Sequence, residues 1–424
     1  MKRAGLIFIL MIAIQLISAQ SLLERYKSGT VKLIPDKTYA QHNDWNKVFA
    51  SYNDSIYGQP AGLLKSLVMM PDGSVVVNNP NQNFYTKFDD KGNFVNEFGI
   101  VNKSGKTFNK IKDIQGVMNG SEFFAGLDNM GNMYCFDFDG NYIKTLKLDY
   151  MTRQMIPLGE NKFAVVGWVI WKNRYRDFVA IVDYNTNEQK VVWEHFTDRC
   201  DSEHCDLFNY SYKFKERGMI SLNTMPFSKS NGLKASPQIE STKGKLIIAD
   251  PVNAEISVYD FSGNFITKDK ISWGRNYITV EDQKKIQQKA IEKYKSLENP
   301  QLAGWVSKEE NSKALKSIIG MMEDDLNKIK DPIQIPVFSN IIKDSDGNLL
   351  FFEFPKEEGE NKFNVWIYKN NGQFVCQSSI ECDDYDLSIM PSKMVFRDGY
   401  IYGLQRLKNA TGVPLRLVRF KVSN

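Results

Sequence analysis

Short apolar runs rich in β-branched and aromatic residues alternate with glycine-containing turns along most of the chain. Three examples are Ser74–Val77, Lys245–Ala249 and Leu349–Phe352. Runs of this length between turn residues are typical of antiparallel strands. One stretch, residues 279–330, has helical spacing of its apolar positions instead. The pattern therefore predicts an all-β fold with one helical insertion.

A turn motif recurs between these predicted strands. An aromatic residue is followed by Asp, two variable residues, Gly, Asn and a second aromatic residue. The copies are Phe88–Phe94, Phe136–Tyr142 and Tyr259–Phe265, with weaker copies at Tyr368–Phe374 and Val182–Glu188. The glycine supplies the positive φ that a tight hairpin turn needs, and the flanking aromatic residues suit paired strands.

A second set of turns precedes these motifs. It is centred on Gly73, Gly120, Gly159, Gly244, Gly347 and Gly399. Six copies of a unit with four strands predict a six-bladed β-propeller of four-stranded blades. The sixth copy lacks a fourth strand, whereas residues 31–36, upstream of the first copy, have strand character without a partner. We expect this segment to pair with the last blade and close the ring.

These Phe-Asp-x-x-Gly-Asn-Phe and Asp-Gly turns resemble those of exported, Bacteroidetes-type six-bladed β-propeller proteins with NHL-like repeats. The resemblance extends over residues 31–422. It implies the propeller architecture but no activity, because such propellers include both binding scaffolds and enzymes. The long insertions and the degenerate third copy depart from the family pattern.

The first twenty residues have the features of a secretory signal peptide. A basic start with Lys2 and Arg3 precedes an apolar run, Leu6–Ile17, and small residues follow at 18–20. The run is shorter than the roughly 20 residues that span a bilayer. The first cysteine is Cys135, so no cysteine at the cleavage point is available for a lipid. We expect residues 1–20 to be removed and residues 21–424 to form a single propeller domain, periplasmic or secreted, without a lipid anchor or transmembrane segment.

Composition and charge exclude several classes of protein. With 42% apolar, 12% aromatic and 25% charged residues, the chain is neither disordered nor collagen-like. Its net charge of +4 falls to +2 when Lys2 and Arg3 are removed, which gives no support for nucleic-acid binding. We expect a monomer.

Export makes disulfide bonds permissible. Cys200 and Cys205 are separated by four residues, and Cys376 and Cys382 by five, so each pair is a candidate for closing a small loop. Four cysteines allow three connectivities. The remaining Cys135 lies among alternating apolar residues and is expected to be a buried thiol.

The predicted propeller has one plain face and one elaborated face. The connections on the elaborated face carry nearly all of the length variation. They are Trp168–Asp177, Thr197–Lys234, Gly274–Val337, Pro355–Lys362 and Lys408–Pro414. Long structured loops on a rigid scaffold commonly carry the binding residues. We therefore expect function on this face.

The largest insertion predicts a helical hairpin between the fourth and fifth blades. Thr279 and Ser307 each precede an acidic residue three positions on, as helix N-caps do. The apolar stripe of the second helix includes Leu315, Ile318 and Met322. Such a stripe must be buried, most simply against the elaborated face. The hairpin is then either a structural cap or a lid over the channel mouth.

Two groups of residues are candidate ligand contacts. The first is the segment with Trp168, Trp171, Arg174, Tyr175 and Arg176, whose indoles suit stacking on a sugar or aromatic ring and whose arginines suit a carboxylate or phosphate. The alternative is a long hairpin whose tryptophans pack under the helical hairpin.

The second group is a ring of small polar residues at the starts of the innermost strands. Its members are Ser66, Asp113, Thr152, Asn340 and Ser392. Such a ring could bind a ligand or a cation, or it could hold ordered water.

Two functions fit these features. The first is an exported binding or scaffold protein that recognises a protein, peptide or glycan through the elaborated face and needs no cofactor. The alternative is a lactonase-like hydrolase or lyase in which a divalent cation, such as calcium, activates water at the channel mouth. That enzyme needs converging acids, and only Asp113 of the ring qualifies. The acidic segment Asp198–Asp206 lacks regular ligand spacing, so we expect no metal there. We favour the binding protein.

Overall fold

The structure, a computed structural model, describes most of the chain after the predicted signal peptide. The described residues are 21–49, 67–79, 84–99, 114–118, 122–125, 131–137, 139, 141–159, 161–171, 174–198, 208–215, 218–224, 236–272, 277–298, 302–303, 306–334, 336–353, 362–389 and 394–423. Side chains within a few of these strands are not described. In this part of the chain no helix is long and apolar enough to cross a membrane.

Strands dominate the structure, and four antiparallel sheets of four strands follow one another along the chain. Sheet I contains β2 (Leu67–Met69), β3 (Val75–Asn79), β4 (Phe84–Phe88) and β5 (Phe94–Gly99). Sheet II contains β6 (Ile114–Met118), β7 (Glu122–Ala125), β8 (Asn132–Asp137) and β9 (Tyr142–Lys147). Sheet III contains β10 (Met151–Gly159), β11 (Lys162–Trp171), β12 (Arg174–Asp183) and β13 (Gln189–Asp198). Sheet IV contains β16 (Gln238–Thr242), β17 (Lys245–Asp250), β18 (Glu255–Asp260) and β19 (Phe265–Lys270).

The remaining large sheet, sheet V, has nine strands rather than two separate sets of four. Its strands are β1 (Thr30–Pro35), β22 (Asn340–Lys343), β23 (Leu349–Phe352), β24 (Lys362–Tyr368), β25 (Phe374–Glu381), β26 (Tyr385–Asp386), β27 (Met394–Arg397), β28 (Tyr400–Leu407) and β29 (Leu415–Ser423). β1 joins the two halves: it pairs antiparallel with β29 and parallel with β25. The short helix α1 (Leu22–Lys27) precedes β1, and α2 (Trp45–Val48) follows it.

The first strands of the sheets lie beside one another in chain order. β2 contacts β6, β6 contacts β10, β10 contacts β16, β16 contacts β22, and β22 contacts β27. Side chains also link the last of these strands to the first, because Arg397 donates hydrogen bonds to the carbonyls of Met70 and Pro71. Apolar clusters fill the spaces between neighbouring sheets, for example Val166, Val179 and Ile248 between sheets III and IV.

The recurring turn motif has a clear local structure. Asp260 Oδ1 accepts hydrogen bonds from the backbone amides of Ser262 (2.8 Å) and Asn264 (2.9 Å), and its Oδ2 accepts one from Asn264 Nδ2 (2.8 Å). The same bonds occur at Asp89 and Asp137. Asp and Asn of the motif therefore hold the turn closed while the glycine provides the positive φ.

These turns pack against the preceding sheet, and we call this set of contacts the turn seam. The turn of sheet IV lies on β13, where Lys190 Nζ donates to the carbonyl of Ser262 (2.7 Å). The turn of sheet III lies on β9, since Asn187 Nδ2 donates to the carbonyl of Lys147 (3.0 Å). The turn of sheet I lies on the segment after β1, where a Cβ on Gly92 would stand 2.6 Å from the ring of Tyr39.

The insertions on either side of sheet IV form a unit that we call the insert module. It consists of the hairpin β14 (Asn209–Lys213) and β15 (Met219–Asn223), the helices α3 (Val280–Lys295) and α4 (Lys308–Leu326), and the short pair β20 (Tyr277–Ile278) and β21 (Ile333–Gln334). Thr279 and Ser307 are the N-caps of the two helices.

The apolar face of the helices packs on β14 and β15. Tyr210 and Ile220 of the hairpin share a cluster with Ala314, Ile318 and Met322 of α4. Every described residue of this cluster and of the adjoining one comes from segments 208–222 and 278–329. The helical stripe is therefore buried against a second insertion, which belongs to the 197–234 connection predicted above for the elaborated face.

Buried amides connect the parts of the module. Gln287 accepts a hydrogen bond from Thr224 Oγ1 (2.7 Å) and donates to the Tyr210 hydroxyl and to the Met322 carbonyl. Asn311 forms bonds in both directions with the backbone of Ala303. Because a buried amide needs all its partners, these bonds fix how the hairpin and helices dock.

Candidate functional site

The candidate segment with Trp168 lies at the far end of sheet III. β11, β12 and β13 have ten residues each, whereas the strands of sheets I, II and IV have three to six. At about 3.4 Å per residue, four extra residues extend a strand by about 14 Å. The ladder continues to the tip, where Trp171 pairs with Arg174. Trp168, Tyr175 and Arg176 thus lie on a projecting ribbon.

One face of this ribbon carries Trp168, Asp177 and His195 in a row across three strands. Tyr175 lies one row nearer the tip, with its ring centre 6.1 Å from that of Trp168. The imidazole of His195 stacks on Trp193, with ring centres 6.3 Å apart and planes at 26°. Apolar rings therefore flank a buried carboxylate on this face.

Arg153 completes this face from the innermost strand. A bulge between Thr152 and Gln154 leaves it out of the β10–β11 pairing. Its guanidinium lies 3.4 Å from Asp177 Oδ1 and 5.4 Å from the centre of the Trp168 ring. Burial lowers the pKa of Arg153, and the Asp177 carboxylate acts in the opposite direction. The pair thus joins a buried carboxylate to a mostly buried guanidinium that lies over an indole ring.

The neighbouring glutamine fixes the position of the bulge. Gln154 accepts a hydrogen bond from the amide of Ile239 (2.9 Å) and donates one to its carbonyl (2.8 Å). These bonds tie β10 to the first strand of sheet IV. Arg153 is therefore presented by a rigid strand rather than by a loop.

The opposite face of the ribbon carries a second ion pair between aromatic rings. Arg176 bonds to Glu194 Oε2 through Nε (2.9 Å) and Nη2 (2.7 Å). Its guanidinium lies 5.1 Å from the ring centre of Phe178 and 5.9 Å from that of Phe196. Phe196 remains 38% exposed.

The two arginines with described ion pairs therefore do not form an anion clamp. Each is neutralised by a carboxylate on the adjoining strand, so a bound anion would have to compete with it. The rings of Trp168, Tyr175 and Phe196 remain partly accessible. Ile170 near the tip is 52% exposed. The arrangement favours stacking with an uncharged ligand over binding of a phosphate or carboxylate.

The polar ring is described at two of its five positions. Asn340 Nδ2 donates to the carbonyl of Ile389 (2.6 Å) and so joins the two halves of sheet V. The Thr152 hydroxyl is buried and has no hydrogen-bond partner among the described residues. Ser66, Asp113 and Ser392 lie outside the described residues.

The expected disulfide between Cys376 and Cys382 is absent, because both cysteines are free. Cys376 lies in the extended strand β25 and Cys382 just beyond its end. Six residues of extended chain separate their Cα atoms by about 20 Å, whereas a disulfide needs about 4.4–6.8 Å. Cys135 is a fully buried thiol, whereas Cys200 and Cys205 lie outside the described residues.

No cluster of three His, Cys, Asp or Glu side chains suited to a metal occurs among the residues that the structure describes. Residues 199–207, which hold most of the acidic segment, and Asp113 are outside them.

Sequence reasoning missed the partners that neutralise the arginines. Arg153 lies far upstream of the Trp168 segment, and Glu194 and Phe196 lie on the next strand. The available signal was the strand pattern of Trp193–Thr197. Successive side chains of a strand point to opposite faces, so this pattern places His195 on one face and Phe196 on the other.

Comparisons with known proteins give distant structural likenesses. No family model matches the chain, and no curated protein matches it. A DUF4221 family member from Bacteroides vulgatus is 11% identical, with 93% of this chain and 99% of that chain covered and a TM-score of 0.49. A predicted exported protein from Bacteroides fragilis is 8% identical, with 94% and 96% covered and a TM-score of 0.47. Virginiamycin B lyase from Staphylococcus aureus is 10% identical, with 86% and 96% covered and a TM-score of 0.37. These values assign neither a family nor an activity to the chain.

Proposed function

We propose that this chain is an exported six-bladed β-propeller that binds a ligand through the projecting ribbon of sheet III, without chemical turnover. Contacts between successive first strands, from β2 round to β27, support the propeller arrangement. In it, β27, β28, β29 and β1 are the strands of the sixth blade, and β1 closes the ring.

The ribbon is the observation that carries the binding proposal. Both of its faces present aromatic rings beside ion pairs held by neighbouring strands. Rings on regular strands lose little conformational freedom on binding, and aromatic residues dominate the energetics of many binding sites. Because Arg153 and Arg176 are compensated, the proposed ligand is uncharged where it touches the rings: a neutral glycan or a peptide.

The site is tested with two probes, a glycan array and a library of random displayed peptides of about 12 residues. We expect the wild-type protein to bind glycans on the array, peptides from the library, or both. Trp168→Ala lowers their affinity about thirtyfold or more, because it removes the central ring.

The matched control is Phe265→Ala, which removes another exposed ring, on β19, 58% exposed and outside the ribbon. This variant retains binding. Equal binding by Trp168→Ala and wild type would place the site elsewhere and refute the proposal. Steady turnover of a selected ligand would refute the non-catalytic assignment.

A further inference from the structure

The outer edge of β13 offers a second kind of contact on the same ribbon. β13 pairs with β12 on one side, and no described strand pairs with its other side. The turn of sheet IV covers the beginning of this edge, at Lys190 and Val192. The stretch Trp193–Asp198 continues beyond these contacts. Its backbone edge is about 17 Å long.

Three other outer strands carry contacts or charges that oppose strand addition. The edge of β25 is covered by β1, which pairs with it in parallel. On β5, the amide of Phe94 donates to Asn43 Oδ1 (2.8 Å). β19 carries Lys268, Asp269 and Lys270 at its exposed end. Edge lysines and covering segments are the usual protection against unwanted pairing.

Among the described residues, none of these protections occurs on the projecting part of β13. Trp193–Thr197 contains neither lysine nor proline, and its acidic residue, Glu194, is bound by Arg176. Phe196 stays exposed on one face, and half-buried His195 lies on the other. An unprotected edge with apolar side chains is a template for an added strand.

We propose, on the basis of the function above, that the ligand is an extended peptide that adds to Trp193–Thr197 as a fifth strand. The fold already contains such an addition, because β1 pairs along the outer edge of β25. Alternate residues of the peptide contact the row with His195 on one face and the row with Phe196 on the other. Since Asp177 and Glu194 are compensated, the peptide is uncharged and rich in β-branched and aromatic residues.

The test uses the mature full-length chain and the peptides selected from the random library. Each backbone amide of a selected peptide is methylated in turn. Strand addition uses every second amide, so methylation at alternate positions weakens binding about tenfold while the intervening positions tolerate it.

A matched pair of variants tests the edge itself. Phe196→Lys places an edge lysine in the contact and weakens binding about tenfold or more, whereas Phe265→Lys makes the same change on β19 and leaves binding unchanged. If Phe196→Lys lowers the melting temperature, the edge is tested in the wild-type protein instead, by hydrogen exchange of the 193–197 amides. Bound peptide is expected to slow this exchange.

The outcomes separate this proposal from the one on which it rests. Uniform tolerance of methylation, or no added protection of the 193–197 amides, overturns strand addition. Glycan binding that depends on Trp168, with no peptide selected, supports the site and overturns the peptide. If the wild-type protein is a dimer and Phe196→Lys is a monomer, the edge binds a second copy of the chain. That result also overturns peptide addition. If Trp168→Ala binds both the glycans and the peptides as tightly as the wild type does, both proposals are overturned.

Discussion

The turn seam and the insert module both hold neighbouring segments together, but they do so through different contacts. The seam repeats one local device, an Asp-x-x-Gly-Asn turn that is closed by its own side chains and laid on the preceding sheet. The module uses no repeat: two insertions on either side of sheet IV bury a shared core and connect through buried amides. The seam therefore depends on glycine conformation, and the module depends on side-chain packing.

The largest expected effect concerns the module core. Ile318 is fully buried in α4, and Ile318→Ala is expected to cost about 3–4 kcal/mol, since it leaves a cavity. Because the module clusters contain no described residue of the large sheets, the loss should appear as a separate, earlier unfolding step of the helices. Circular dichroism of the helices and fluorescence of the sheet tryptophans, followed together on heating, measure it.

The neighbouring Ile319, only partly buried, is the control, and Ile319→Ala should cost about 1 kcal/mol. A single transition, shifted equally for both probes, would show that the module and the sheets unfold as one unit.

The second effect concerns the seam. Gly92 has φ +79°, and a Cβ there would stand 2.6 Å from the Tyr39 ring. Gly92→Ala is therefore expected to cost about 3 kcal/mol, from backbone strain and from overpacking together. Gly372 occupies the equivalent position of the weaker motif, with φ +85° and nothing within 4 Å of its Cβ direction.

Gly372→Ala should cost about 1 kcal/mol, because only the backbone is strained. Chemical denaturation of both variants gives the difference. Equal losses would mean that the seam contributes through turn geometry alone and that the contact with Tyr39 is dispensable.

The smallest effect concerns the ion pair beside β1. Arg419 Nη2 lies 2.7 Å from Asp36 Oδ2. Burial opposes ionisation of Asp36, but hydrogen bonds from Thr38 and the ion pair with Arg419 outweigh it and lower its pKa to about 2. The folded pKa lies below the unfolded value, so this contribution is present above about pH 4 and is lost as the pH falls towards 2.

Asp36→Asn should cost about 1 kcal/mol at neutral pH, after allowance for solvent screening, and little at pH of about 2. Urea unfolding at both pH values provides the comparison, with Asp44→Asn as an exposed control. A cost that did not change with pH would assign the effect to packing rather than to charge.

Much of the sheet structure followed from the sequence because the turns are local. Gly73, Gly92, Gly244, Gly263 and Gly347 all have positive φ, as the turn signals predict. The role of the motif's Asp and Asn was not evident, since it depends on side-chain hydrogen bonds. The fusion of the last sheets through β1 and β25 was not predicted, because parallel pairing between distant segments leaves no local pattern.

The module and the site were harder to predict because their contacts are not local. The caps at Thr279 and Ser307 are sequence signals, but Tyr210, which packs on α4, lies in a segment that reads as a loop. Trp168 and Tyr175 are adjacent through one hairpin, whereas the ion pairs of Arg153 and Arg176 required the bulge and the register of β13.

The pairing of β1 with β29 has a consequence for biosynthesis. Lys32 lies opposite Ser423, so the two antiparallel partners leave the ribosome far apart in time. Sheet V is thus completed only after the roughly 390 residues between these two positions have been translated. Until then the partly synthesised chain exposes the edges of β1 and β25. Chaperones that shield single strands are therefore the factors on which the yield of folded protein should depend.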